Sequence, residues 1–223
     1  MDKTAVDLKF MPANTLTVFN KLVENHFISK YTLVGGTALS IQIRHRLSED
    51  LDFIFDGEKL NANSIKRNIA AVFPDYRIIR QELPWQIDFV INNVKVTFFS
   101  TGAIALPFNV QFHSFRYKSI AVCNAKTIAS LKMAAIAQRN TIRDYYDLYT
   151  LIKYHYSLKE IIDQTKKLIP NLSPITYTET LIYIDDIEEA SLENHLMPVE
   201  LISKDQIAEF FIAKILKIKN EID

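Results

Sequence analysis

The sequence predicts an α/β protein: a mixed sheet with helices packed on it, followed by a helical subdomain. Two observations predict this fold class. Up to about residue 120, short apolar or alternating segments typical of strands are separated by segments with apolar residues at helical spacing. Beyond that point the chain is rich in alanine, and prolines punctuate long helical patterns. We therefore expect a core over residues 1–120 and a helical subdomain over residues 121–223 that packs on the core and completes a cleft.

The first half predicts the element order α-β-α-β-α-β-β-β. Periodicity places helices over residues 12–27 and 64–73, with another between the first two strands. Predicted strands cover residues 32–34, the segment carrying Asp50 and Asp52, and residues 76–81, 85–91 and 94–100. In the fourth strand Trp85, Ile87, Phe89 and Ile91 are expected on one face, and Gln86, Asp88 and Val90 on the other. Asn92-Asn93 then predicts a hairpin turn.

The second half predicts only helices. Their expected ranges are residues 125–139, 141–154, 157–169, 184–196 and 203–220. Several tyrosines near residue 150 are interpreted as packing residues of these helices rather than as a platform for stacking bases.

Composition limits the partners and the compartment. The 26 basic and 26 acidic residues cancel, so no overall field steers the chain toward nucleic acid, and an RNA partner would need a local basic patch. The single cysteine, Cys123, excludes an internal disulfide framework and is expected to be an inert core thiol. No signal peptide and no apolar stretch near the ~18 residues of a membrane span are present. We expect a cytoplasmic protein with no membrane partner.

Residues 31–55 carry the chemistry. A strand that turns through Gly35-Gly36 into a helix presents backbone N–H groups and a helix dipole, both of which suit a phosphate. Asp50 and Asp52 are two apart, so they share one face of a strand. Two hard oxygen ligands suit Mg²⁺, and together these features predict phosphoryl or nucleotidyl transfer. The alternative is a strand end with solvated acids, because two Asp separated by one residue are common.

Asp88 is the candidate for a third carboxylate. It lies in the middle of an apolar strand, where a charge is costly unless it is paired or bound to metal. The alternative is an ordinary acid on the exposed face of that strand.

Two blocks of sequence resemble one protein family. The first reads GGTAL, HR, S and DLDF in order over residues 35–53, and the second contains Lys132, Arg139, Asp144 and Asp147 over residues 125–149. Both resemble the AbiEii/AbiGii toxin family of nucleotidyltransferases, a branch of the DNA polymerase β-like superfamily. The resemblance covers about residues 12–155 and implies that the core is a nucleotidyltransferase core.

The resemblance implies a role for each residue of the first block. Gly35, Gly36 and Thr37 would hold the triphosphate through backbone N–H groups and a hydroxyl. Arg46 would either reach a phosphate or fix the turn from the helix to the strand that follows it. Asp50 and Asp52 would hold Mg²⁺, or Mn²⁺, with Asp88 as the third ligand or as the base that activates an acceptor hydroxyl.

In the second block, Lys132 would neutralise nucleotide phosphates; otherwise it is a solvated lysine. Asp144 and Asp147, three apart on a helix, project near one face. The resemblance implies that Asp147 would be a catalytic acid and Asp144 a nucleotide-binding one. Which of them acts in the site stays open at this point, with a slight preference for Asp147. Arg139 and Arg143 would pair with one of these acids.

The reaction implied is transfer of a nucleoside monophosphate from an NTP to an acceptor hydroxyl, with release of pyrophosphate. The implied acceptor is RNA, at a tRNA 3′ end, and the implied partner is a cognate antitoxin. Two alternatives remain: a nucleotidyltransferase that modifies a small molecule or a protein hydroxyl, and a non-catalytic interaction module on the same fold.

Overall fold

The computed structural model describes residues 6–184, 187 and 192–220. The chain divides into two compact units, Met1–Asn124 and Ala125–Asp223, and each is described by itself. Among the described residues, no helix combines the length and the apolar character needed to cross a bilayer.

The first unit is a seven-stranded mixed sheet with three α-helices in its described part. The helices are α1 (Ala13–Val23), α2 (Gly35–Ile43) and α3 (Ala62–Val72). The strands are β1 (Thr32–Val34), β2 (Leu51–Phe55), β3 (Tyr76–Glu82), β4 (Gln86–Ile91), β5 (Val94–Ser100), β6 (Ser114–Tyr117) and β7 (Ile120–Cys123). The strand order is β3-β4-β5-β2-β1-β7-β6, so β3 and β6 are the edge strands.

Strand direction follows from the connections. The β1–β7 and β2–β5 pairs are parallel, and the other neighbours in the sheet are antiparallel. The hairpin between β4 and β5 turns at Asn92 and Asn93, whose φ values of 50° and 61° match the positive φ that a tight two-residue turn requires. The sequence-based prediction of this hairpin is confirmed.

One face of the sheet forms the core of the first unit. Phe98 of β5 stacks on Phe53 of β2 with ring centroids 5.3 Å apart, and Tyr31 meets its edge at 5.0 Å. Ile87, Phe89 and Ile91 are buried on this face, as their alternation predicts. Trp85 is not buried on this face. It is the last residue of the turn before β4, so it lies outside the ladder and is 47% exposed. The prediction for Trp85 is wrong.

The described part of the second unit is helical. Its helices are α4 (Ala125–Ile136), α5 (Ile142–Tyr154), α6 (Leu158–Leu168), the single turn α7 (Glu179–Ile182), and α8 (Lys204–Asn220). Tyr145, Tyr146 and Tyr149 are buried in it, which confirms their interpretation as packing residues, whereas Tyr154, predicted with them, is 57% exposed.

A predicted helix over residues 184–196 is not found in the described part of that range, where a short 3₁₀ turn, Asn194–Leu196, is the one helical element. Residues 185, 186 and 188–191 lie outside the described residues.

Candidate functional site

The Gly-Gly turn brings the start of α2 directly against a carboxylate. Val34, the last residue of β1, is paired with Asp52 of β2, so Gly35 lies beside Asp52. Gly35 has a φ of +71°, and a Cβ built there would lie 2.7 Å from Asp52 Oδ2. Only glycine adopts this backbone conformation without strain and leaves room for the carboxylate. The amino end of α2 and the Asp52 side chain therefore form one continuous surface.

Arg46 is packed beneath the same turn. A Cβ at Gly36 would lie 2.6 Å from Arg46 Nη2 and 2.9 Å from Ser48 Oγ. The side chain is buried, and its Nη1 donates to the carbonyl of Leu47 at 2.9 Å. Of the two roles that the sequence allowed, the geometry supports fixing of the turn from α2 to β2, since Leu47 lies in that turn.

Thr37 faces the protein interior. It is 1% exposed, and its hydroxyl donates to the backbone carbonyl of Asp50 and shares a hydrogen bond of 2.9 Å with Ser48 Oγ. The predicted use of this hydroxyl to hold a phosphate does not agree with its position, since it is already engaged within the protein. Thr37 instead anchors the residue that precedes β2, and Asp50 lies just outside the strand on which it was predicted.

Three polar residues form a row across the sheet. Asp52 of β2 is in register with Thr97 of β5, and Thr97 is in register with Asp88 of β4. Residues in register on neighbouring strands point to the same face, so the three side chains share the face opposite the core. Thr97 is 5% exposed, and its hydroxyl has no hydrogen-bond partner among the described residues. Buried hydroxyls usually have a hydrogen-bond partner, so the Thr97 hydroxyl is available to a water molecule or another bound group.

Asp88 is buried and already has two partners. Gln86 Nε2 donates to its Oδ1 at 2.9 Å, and Lys95 Nζ lies 3.7 Å from its Oδ2. Two strand spacings, about 10 Å, separate its backbone from that of Asp52. Among the described residues, no three His, Cys, Asp or Glu side chains come together as a group able to hold a metal ion. The structure therefore does not bring Asp88 to the Asp50/Asp52 pair, and Gln86 and Lys95 account for its burial.

The second unit contains a buried ionic cluster. Lys132 of α4 places its Nζ 2.5 Å from Asp144 Oδ1 and 2.7 Å from Asp147 Oδ2, both on α5. The expectation that the two acids share one helix face is thus confirmed. Arg139 Nε adds a 2.9 Å contact to Asp144 Oδ2, and the hydroxyl of Thr141 donates to the same oxygen at 2.9 Å.

Charge pairing outweighs burial at Asp144. Desolvation alone would raise the pKa of this carboxyl, but the nearby ammonium of Lys132 and guanidinium of Arg139 lower its pKa below the ordinary 3.8. Asp144 is therefore ionised, and Lys132 is neither solvated nor on the surface. The prediction that Arg139 pairs with one of these acids is confirmed. The same prediction for Arg143 is wrong: its Nη2 contacts Glu193 Oε2 at 2.6 Å, because it projects from α5 toward residues 192–194.

Sequence reasoning missed Thr97. Its position between two acids depends on the register of three strands, and no local sequence pattern predicts that register. The one available signal was a threonine in the middle of β5, on the face opposite the apolar Val96 and Phe98.

Comparison with known proteins identifies the family of the chain. Residues 18–210 match the family described as "Nucleotidyl transferase AbiEii toxin, Type IV TA system". The protein aq_aa25 of Aquifex aeolicus is 31% identical over 197 residues, which cover 87% of this chain and 91% of that protein.

Two solved structures are also similar. JHP933 from Helicobacter pylori has a TM-score of 0.49 and 15% identity, with 97% of each chain covered. The nucleotidyltransferase toxin MenT4 from Mycobacterium tuberculosis has a TM-score of 0.49 and 12% identity, with 90% of this chain and 84% of that chain covered. The family match spans most of the chain and includes both blocks of site residues. The chain therefore belongs to the AbiEii family of nucleotidyl transferases, a family of type IV toxin–antitoxin systems.

Proposed function

We propose that this protein transfers a nucleoside monophosphate from an NTP to a hydroxyl of RNA, at a tRNA 3′ end, and acts as the toxin partner of a cognate antitoxin. The observation that carries the proposal is the Asp52 carboxylate packed against Gly35 at the amino end of α2. This arrangement sets an anion-binding helix end beside a carboxylate that suits a cation. A nucleoside triphosphate with its metal ion needs both. A cytoplasmic location belongs to the same proposal, because NTPs and tRNA are found there.

The residues present fit a divalent cation held by two carboxylates. Asp50 and Asp52 are both half-buried at the start of β2, and they offer the hard oxygen ligands that Mg²⁺ and Mn²⁺ prefer. Mg²⁺ commonly takes one or two protein carboxylates and fills its remaining positions with water and substrate phosphate. The chemistry that such an ion supplies is neutralisation of the phosphate charge that grows as pyrophosphate leaves.

In the proposed reaction, the acceptor oxygen forms a bond to the α-phosphorus while the bond from that phosphorus to the bridging oxygen of pyrophosphate breaks. The backbone N–H groups of Gly36 and Thr37 at the first turn of α2 would bind the phosphates. The acceptor proton must move to a base. Asp88 stays our candidate for that base, because it lies on the same sheet face as Asp52.

For the second unit, we propose that Lys132 holds Asp147 and Asp144 in place. Its ammonium contacts both carboxylates, at 2.5 Å and 2.7 Å. The charges of Lys132, Arg139 and the two acids cancel. Phosphate neutralisation by Lys132 stays a prediction that rests on the family resemblance.

The test is label transfer. Each labelled NTP is incubated with Mg²⁺ and total RNA, and label in RNA, protein and small molecules is measured separately. We expect label in the tRNA fraction, and a loss of at least about a thousandfold in Asp52→Ala, since a metal contact contributes several kcal/mol to the transition state.

Asp75→Ala is the matched control, because Asp75 is an exposed acid outside the row in the same unit. Equal transfer by wild type and Asp52→Ala would show that the carboxylate is not part of the site. Label in protein or small molecules alone would show that the acceptor is not RNA.

A further inference from the structure

Three cationic side chains lie on the sheet face that carries the row of Asp52, Thr97 and Asp88. Arg80 of β3 is in register with Asp88, and Arg77 of β3 and Lys95 of β5 are both in register with Val90 of β4. Since residues in register share a face, Arg77, Arg80 and Lys95 point to the same side as Asp52, Thr97 and Asp88. We call these three residues the basic wing.

The wing exists because β3 is irregular. In a regular strand, residues three apart point to opposite faces, so Arg77 and Arg80 would lie on different sides of the sheet. The register of the β3–β4 ladder shifts between Ile78 and Arg80. This bulge adds one residue and returns Arg80 to the side of Arg77. Both arginines are therefore directed to the face of the acids.

The wing is open to a partner. Residues 77–82 are exposed, and the side chains of Arg80 and Lys95 are 50% and 43% exposed. Arg80 contacts Glu82 at 2.7 Å, and Lys95 lies 3.7 Å from Asp88. The Arg80–Glu82 pair is exposed, and such a pair contributes little, about 0–1 kcal/mol, so an incoming phosphate can replace Glu82 there. The contact of Lys95 with the buried Asp88 is kept.

The dimensions suit a nucleic-acid strand. From β5 to β3 the wing spans two strand spacings, about 10 Å. Successive phosphates of one strand of a DNA duplex advance about 3.4 Å along the helix axis, so the wing would meet a few nucleotides of a strand with similar stacking. The chain has no net charge, and an RNA partner therefore needs a local basic surface. The wing supplies one, and it adjoins the row where an acceptor hydroxyl must arrive.

We infer that the basic wing binds the sugar–phosphate backbone of the acceptor RNA strand and directs its terminal hydroxyl toward the row of Asp52, Thr97 and Asp88. This inference rests on the proposed function and adds the surface that holds the acceptor. The contacts are to phosphate, so the wing contributes affinity and position rather than sequence preference.

The experiment uses the full chain carrying Arg77→Gln and Arg80→Gln together. Both side chains are exposed, so folding is expected to be unaffected, and a thermal melt checks this. Lys95 is kept because it also lies against Asp88. Arg116→Gln is the matched control, since Arg116 is an exposed arginine on β6, the opposite edge strand.

Binding of a short, fluorescently labelled single-stranded RNA is measured by anisotropy over a range of salt concentrations. Loss of two phosphate contacts is expected to lower the slope of log affinity against log salt by about 1.4, and to weaken binding about tenfold at low salt. The KM for RNA rises correspondingly, the KM for NTP does not change, and Arg116→Gln behaves as wild type.

The outcomes separate this inference from the proposed function. If wild type transfers label to RNA and the double variant has the same RNA affinity and salt slope, the basic wing does not bind RNA, and the proposed function is unaffected. If RNA binding depends on the wing but no label is transferred, the proposed function is wrong and the wing stands as an RNA-binding surface. If wild type binds no RNA and labels a protein or a small molecule, the inference is overturned.

Discussion

Asp52 in the first unit and Asp144 in the second are both acids near the start of a secondary-structure element, but their surroundings differ. Asp52 is half-buried against Gly35, beside a helix end and an unpaired hydroxyl one strand away. Asp144 is buried and contacts Lys132, Arg139 and Thr141.

The difference separates two uses of a carboxylate. At Asp144 the protein supplies the compensating charges itself, so the cluster contributes to the stability of the helical unit. At Asp52 the adjoining helix end suits a phosphate, and we propose that this carboxylate binds a cation. The comparison therefore contrasts an acid whose charge is compensated by a buried lysine and an arginine with an acid that lies beside the amino end of a helix. The following experiments test that distinction, beginning with the largest expected effect.

Lys132→Ala should destabilise the protein by about 3–5 kcal/mol, because it leaves two buried carboxylates without their shared cation. Asp52→Ala should change the free energy of unfolding by less than about 1 kcal/mol, since a half-exposed acid has access to water. Urea unfolding monitored by circular dichroism measures both.

Lys159→Ala, at an exposed lysine of α6, is the control for the Lys132 variant. An unfolding free energy of Lys132→Ala equal to that of the control would contradict a stabilising cluster. Titration of the variant with NTP at low salt then tests whether Lys132 contacts phosphate in addition.

The stability contributed by Asp144 should depend on pH. Its pKa in the folded protein is lowered below 3.8, mainly by Lys132 and Arg139 against the opposing effect of burial. A group with a depressed folded pKa stabilises above its unfolded pKa and loses that contribution as pH falls through the folded value. We expect Asp144→Asn to cost about 2 kcal/mol at neutral pH and progressively less below pH 3.8.

Urea unfolding of wild type and Asp144→Asn at a series of pH values measures this difference. Asp163→Asn, at an exposed acid of α6, should show no such trend. A difference between wild type and Asp144→Asn that stays constant across the acid range would show that the ionised form is not the stabilising one.

Thr97→Val should have the smallest effect. It removes the unpaired hydroxyl between Asp52 and Asp88 but keeps the shape of the side chain. Because the hydroxyl has no partner in the protein, stability should stay equal or rise slightly. If it serves a bound group, Mn²⁺ affinity measured by electron paramagnetic resonance should fall about threefold to tenfold, as for one lost hydrogen bond.

Thr97→Ser keeps the hydroxyl and should bind Mn²⁺ like wild type. A Thr97→Val variant that loses stability and keeps its Mn²⁺ affinity would show that the hydroxyl is structural. The contrast between ligand-facing and internally paired groups would then not extend to this row.

Local patterns predicted much of the fold. The apolar residues Ile87, Phe89 and Ile91 at every second position, and the two asparagines after them, were sufficient to identify the β4–β5 hairpin, because side-chain period and turn conformation are local properties. The helix expected over residues 184–196 is not found in the described part of that range. Apolar periodicity there was a weak signal, because a short apolar segment also fits a loop that packs on neighbouring helices.

The sequence by itself determined which residues are candidates for the chemistry: the glycines before a helix, the acids two apart, and the lysine and acids of the second block. These are fixed by covalent spacing and by backbone conformation. The tertiary structure decided their partners. In the folded protein the Thr37 hydroxyl points inward, and Asp88 contacts Gln86 and Lys95. Lys132 lies between two carboxylates, and Arg77 and Arg80 share one face of the sheet. The physical reason is that pairing across strands and helices depends on register and burial, which residues distant in sequence set together.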